Sequence, residues 1–171
     1  MARFVRFALR DLGIAAITAA AWGIDRQART GKYGQAAKTV IGVSTGLLTA
    51  LVGFGAHEWG HLAGALASGG VVDEPTSMTS PFLFFFDVGR SPRPAFLAMS
   101  YGGYIGTVVA AAAIATFVPR RALSGRVALA ATAVGLVATF ALEMPTTIRV
   151  ARGGPLPRGG VYAGDPDRAV G

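Results

Sequence analysis

The chain has two histidines, and both fall in one five-residue run, His57-Glu58-Trp59-Gly60-His61. On a helix, residues i and i+4 lie one above the other, so His57 and His61 present two imidazoles on one face. That pair suits two of the four positions around a tetrahedral Zn²⁺. Glu58 lies roughly 100° round the helix from His57, which turns it away from direct metal contact. It could instead reach a water polarised at the metal and take its proton. The plainer reading is a pair of satisfied, buried histidines. Within hydrocarbon that reading weakens, because ionisable groups there are costly and face partners or cavities.

A catalytic zinc has three protein ligands and keeps one position open. The chain has no cysteine, which removes thiolate ligands, disulfides and cysteine nucleophiles together. The third ligand must therefore be a carboxylate or be missing. The glutamates are Glu58, Glu74 in a turn, and Glu143. Residues 39–67 and 126–144 read as apolar spans separated by one other span, so they cross a membrane in the same direction. His57 comes 18 residues after Thr39 and Glu143 comes 17 after Arg126, which places both at similar depth. Glu143 is thus the leading third ligand. The alternative for Glu143 is an interfacial carboxylate paired with Arg149 or solvated. Asp87 is a weaker candidate on a loop that could fold back, and Asp165 and Asp167 in the tail are weaker again.

Composition identifies what must hold these residues. The chain is 52% hydrophobic and only 15% charged, below the ~25% of soluble domains, which points to a membrane. Its length allows one membrane domain, residues 1–171. The net charge of +7 is scattered through loops between apolar stretches. This pattern fits anchoring to anionic lipid head groups and argues against nucleic acid. The fold expected is an all-α polytopic membrane protein with about four transmembrane helices and a short β-hairpin-like loop between the second and third.

Residues 1–11 form a basic helix end bearing Arg3, Arg6 and Arg10, followed by an apolar stretch over 12–24. Thirteen residues cover only ~20 Å, so spanning requires residues 4–9 to enter with their arginines snorkelling. A secretory signal peptide has a similar look, but Trp22-Gly23-Ile24 is a poor cleavage exit. Residues 25–38 read as a polar connecting loop. In the glycine-rich second span, 39–67, most glycines serve helix packing, and Gly60 is expected to open space beside the metal. Gly69-Gly70 ends that helix. Residues 82–88, Phe-Leu-Phe-Phe-Phe-Asp-Val, are too short to span and read as an interfacial strand. That strand could accept an extended substrate by strand addition or act simply as an aromatic anchor. A third span covers 95–118. The fourth, 126–144, is interrupted at Glu143-Met144-Pro145, and the polar tail over 149–171 has no periodicity. The side holding the N-terminus, the 68–94 loop and the tail carries nine Lys/Arg against seven opposite, which leans towards a cytoplasmic N-terminus.

The HEWGH run in a glycine-rich membrane helix, the loop after it, and Tyr101-Gly102-Gly103-Tyr104-Ile105-Gly106 opening the third span resemble the site-2 protease family of intramembrane zinc metalloproteases. The compact M50B-like members are the most similar. The resemblance covers residues 39–147, framed by 1–38 and by the tail from 148. It implies a three-helix catalytic core, a zinc ion, His57 and His61 as ligands, Glu58 as general base, and hydrolysis of peptide bonds in membrane-embedded substrates. An integral protein of a bacterial inner (plasma) membrane is the expected setting. One departure stands out. The family's third ligand is an aspartate followed by glycine, whereas Glu143 is followed by Met-Pro. Aligning residues 155–160 there instead would lose the ligand. The rival expectation is therefore a non-catalytic accessory or structural subunit of a larger membrane complex that retains a protease-like fold.

Overall fold

A computed structural model describes residues 2–75, 77–80 and 82–158. Four long helices carry the fold: α1 (Ala2–Thr30), α2 (Gln35–Ala67), α3 (Arg93–Phe117) and α4 (Leu123–Ala151). Between α2 and α3 lies a two-stranded antiparallel sheet, β1 (Val72–Asp73) with β2 (Phe85–Phe86), in the register Val72↔Phe86 and Asp73↔Phe85. All four helices are long and apolar enough to cross a membrane.

The distribution of side chains is that of a chain solvated by lipid. Leu12, Ile17, Val40, Ile105, Val109, Val134 and Leu142 are exposed, while Thr45, Thr49, Ser100, Thr107, Ser124 and Thr147 are buried. Apolar residues facing outward need no cover in hydrocarbon, whereas polar groups there must pair internally.

α2 is the central helix and touches the other three. Glycines set its spacing from α3. A Cβ on Gly60 would strike the Gly102 carbonyl, one on Gly64 the Ala98 carbonyl, and one on Gly106 the Ala56 carbonyl. Backbone thus packs on backbone along the whole crossing, as small residues permit in membranes. Gly46 does the same towards α4, where a Cβ would stand 2.7 Å from the Ser124 carbonyl.

Two helix ends share one device. After α2, Gly69 takes φ +75°, Gly70 N–H donates to Ala65 O at 2.8 Å and Gly69 N–H to Leu66 O at 3.3 Å. After α4, Gly153 takes φ +89°, Gly154 N–H donates to Arg149 O and Gly153 N–H to Val150 O. Both are Schellman closures, which need a residue free of a Cβ penalty at the left-handed position. Arg93, at the start of α3, also donates to the carbonyls of Val150, Gly153 and Gly154, tying the end of α4 to the adjacent helix.

Two boundaries differ from expectation. The polar stretch 25–38 is mostly helix, leaving only residues 31–34 as the connection. Asp25 is buried, accepts from Ser124 Oγ at 2.9 Å and pairs with Arg29 one turn on, so the polar residues extend α1 instead of breaking it. The first span does begin at Phe4, with Arg6 exposed, while Phe7 is fully buried and Arg10 donates to Ser80 O at 2.9 Å and lies over the Phe7 ring. Finally, α4 runs through Pro145 to Ala151.

Candidate metal centre

The i, i+4 spacing does place both imidazoles on one face of α2, and each is fixed by its Nδ1. His61 Nδ1 lies 2.8 Å from Met99 O, a carbonyl that can only accept, so Nδ1 carries the proton. His57 Nδ1 lies 2.8 Å from Thr107 Oγ1 and 3.2 Å from Gly103 O. The Thr107 hydroxyl already donates to Gly103 O at 2.9 Å, so its oxygen accepts from His57. Both rings therefore turn Nε2 the same way. Anchoring the distal ring nitrogen on backbone or hydroxyl oxygen is how metal-ligating histidines are oriented.

Glu143 completes the convergence from α4. Its Oε1 lies 3.1 Å from His57 Nε2 and its Oε2 3.4 Å from His61 Nε2, and the two Nε2 atoms are 3.0 Å apart. Ligand atoms around a tetrahedral ion with bonds of ~2.0–2.1 Å stand roughly 3.3 Å from one another. The separations observed, each imidazole measured to a different oxygen of the carboxylate, are of that order, and one donor atom from each residue lies within 4.8 Å of the others. Two imidazole nitrogens and a carboxylate face one point, an arrangement that favours a cation among them, either a proton or a metal ion. The donor set, two imidazoles and one carboxylate, is one that zinc accepts with a position left open.

Glu58 does not join this triangle. It is buried, its Oε1 lies 3.9 Å from His57 Nε2, and its Oε2 accepts from the Leu83 N–H at 3.4 Å. Glu58, His61 and Glu143 line a cavity of about 80 Å³ with Met99 and three phenylalanines, Phe82, Phe84 and Phe86. A few water molecules fit such a space. A larger cleft of about 820 Å³ between α1 and α2 reaches the same glutamate, bordered by Asp11, Phe54, Trp59 and the turn at Met78–Ser80. The Trp59 indole N–H donates to Asp11 Oδ2 at 2.8 Å across it.

The aromatic run is a roof over the site. Leu83, Phe84 and Phe86 are buried, with Phe86 edge-on to Phe96 of α3, so these three side chains face inward while Phe82 is exposed. Asp87 is turned away from the histidines and held by Arg90, Nε to Oδ2 at 2.6 Å, and Arg90 also reaches Asp73. This pairing keeps the Asp87 carboxyl below its usual range and raises the Arg90 guanidinium. Asp87 is therefore a clasp of the hairpin and no part of the ligand triangle. Asp165 and Asp167, and Gly159 and Gly160 of the alternative alignment, lie outside the described residues.

Gly60 is corrected in role. Its Cβ position points at the α3 backbone, and the glycine that leaves room for the site is Gly103, where a Cβ would enter the His61 imidazole. Sequence reasoning missed Gly103, Thr107 and the Leu83 amide. A readable pattern did exist for two of them. Ser100, Gly103, Tyr104 and Thr107 recur at i, i+3, i+4 and i+7 in an apolar span, a small and polar stripe that had to face another helix. Comparison with protein-family models, curated proteins and solved structures finds no match to this chain.

Proposed function

We propose that this chain is an intramembrane zinc metalloprotease of the site-2 protease type, embedded in a plasma membrane and acting on membrane-protein substrates. The observation that carries this reading is the convergence of His57 Nε2, His61 Nε2 and the Glu143 carboxylate beside a separate buried carboxylate, Glu58. His57, His61 and Glu143 would hold the ion. When bound, zinc supplies Lewis acidity that polarises a carbonyl and makes water a nucleophile at neutral pH.

The chain's own residues provide the rest. Glu58, adjacent to the histidines but unable to be a third corner of their triangle, accepts the proton from the attacking water. It then delivers that proton to the departing amine nitrogen. The Leu83 N–H orients its second oxygen, and the phenylalanine roof limits the water that can enter. A helical substrate hides its carbonyls in i→i−4 bonds, so the segment must unwind before attack. The cleft between α1 and α2 offers room for such a segment to approach Glu58.

The test pairs metal content with activity. Purified wild type should carry about one equivalent of zinc, and the double variant His57→Ala/His61→Ala should carry none. Glu58→Gln should keep the zinc and assemble normally while losing cleavage by about 10²–10⁴-fold, so that membrane-embedded substrates accumulate uncleaved. Equal zinc in wild type and double variant would sink the reading. Unchanged substrate profiles in Glu58→Gln, with loss of a membrane complex on deleting the chain, would instead establish the accessory subunit.

A further inference from the structure

At the membrane end away from the metal centre, α1, α2 and α3 enclose a second pocket of about 710 Å³. Its walls include Ile114 and Phe117 of α3 with Val118 just beyond it, and its rim carries Trp22, Arg26 and Arg29 of α1. The volume corresponds to roughly two dozen waters at ~30 Å³ each, yet the α3 wall offers them only apolar side chains. Phe117 is 84% exposed and projects into the surrounding hydrocarbon. Trp22 is pinned by its indole N–H to Thr49 Oγ1 at 3.0 Å, presenting its ring where tryptophans mark the headgroup level.

The charge on this rim is unbalanced. Arg29 is compensated by buried Asp25, Nε to Oδ2 at 3.0 Å, and Asp25 also accepts from Ser124. Arg26 is exposed and makes no ion pair among the described residues. Arg120, next to the Pro119 that closes the pocket, folds back to donate to Ala115 O and adds positive potential without a carboxylate partner among the described residues. An apolar slot open to lipid, with an uncompensated guanidinium at its mouth, complements one ligand class.

We propose that this pocket is a specific site for an anionic glycerophospholipid, its phosphate on Arg26 and an acyl chain along Ile114 and Phe117. Basic pockets between transmembrane helices select acidic head groups in this way, and an arginine near the surface favours the charged lipid by about fivefold. The occupant bridges α1 to α3, elements otherwise held together through α2. The proposal is independent of the metal centre.

The chain's two tryptophans make the test direct. Trp59→Phe leaves Trp22 as the sole fluorophore at the pocket wall. This variant, in nanodiscs of phosphatidylcholine, receives brominated phosphatidylglycerol or brominated phosphatidylcholine at equal mole fraction. The glycerol lipid should quench Trp22 with about fivefold higher apparent affinity. Arg26→Gln, at an exposed unpaired position, should erase that preference, and Arg26→Lys should keep most of it. Equal quenching by the two lipids, or a preference that survives Arg26→Gln, would overturn the proposal. Relief of quenching by inorganic phosphate in solution would also overturn it, in favour of a soluble anion.

Discussion

Gly103→Ala tests the site through its geometry alone. A Cβ at this position lands among the His61 ring atoms Cε1, Nε2 and Nδ1, so the new methyl and the imidazole cannot coexist. Two relaxations compete. Moving α3 outward would open the backbone contacts that Gly60, Gly64 and Gly106 make along the whole α2–α3 crossing. Overpacking of this kind costs about 1–3 kcal/mol, with an extended interface at the upper end. Rotating His61 away gives up chiefly its 2.8 Å bond to Met99 O, a net loss of about 0.5–1.5 kcal/mol. The side chain should therefore yield before the helix does. On the proposed function the consequence falls on the metal: with one of the three proposed ligands displaced and its orienting bond broken, zinc affinity should drop by at least ~10–100-fold. Competition against a chromophoric chelator, with thermal unfolding measured alongside, separates affinity from stability. Gly55→Ala is the control, since nothing lies within 4 Å of its Cβ, and alanine there should be neutral or slightly stabilising. Zinc binding by Gly103→Ala as tight as that of wild type would refute the placement of the His61 ring.

Thr107→Val keeps the shape but removes the oxygen that accepts from His57 Nδ1, leaving only Gly103 O at 3.2 Å. Zinc affinity should fall about tenfold, Thr107→Ser should restore it, and a chelator titration of the three proteins decides the matter. The hairpin clasp gives a pH dependence. Arg90 depresses the Asp87 pKa, so the contact contributes in full above the unfolded value of about 4 and is lost as pH falls through the lower folded value. Amide exchange at Phe85–Val88 should stay slow at pH 5 and quicken only below about pH 4 after correction for intrinsic rates, whereas Arg90→Gln should exchange faster at both. No difference between wild type and Arg90→Gln would show that the clasp does not hold the roof.

The sequence made the helices legible because the membrane writes a coarse signature: four apolar runs long enough to span. It made the histidine pair legible because i, i+4 is a local relation. Glu143 emerged from equal depth along two helices running the same way, which needs only the rise per residue. Missing were mostly relations with no local signature. Asp25 to Arg29 looked like a loop because those residues are polar; their i, i+4 pairing was a local helical signal that went unread, whereas the contact of Asp25 with distant Ser124 had none. The phenylalanine run looked outward because aromatics often mark interfaces, yet Leu83 N–H and Glu58 are 25 positions apart and their contact depends on the hairpin's fold. Gly60 and Gly103 are alike in sequence and differ only in what stands opposite each.

The turn that carries Glu143 also carries a proline inside the helix. Pro145 has no N–H to give to the Ala141 carbonyl, and its ring crowds that turn, which should weaken or end the helix there. In hydrocarbon the freed groups must find partners nearby. α3 grips α4 on both sides of the weak point. Ahead of it, the Tyr104 ring stacks on Phe140 at 5.2 Å between centroids. Beyond it, Thr147 Oγ1 donates to Glu143 O at 3.2 Å and so must accept from Tyr104 OH, 2.7 Å away. One tyrosine thereby holds the residues flanking the proline, and the turn between them projects Glu143 at the two imidazoles. An aspartate on this same backbone would withdraw its oxygens by about 1.5 Å, one C–C bond, from contacts that now measure 3.1 and 3.4 Å. On this backbone, then, the contacts to the two imidazoles require the longer carboxylate.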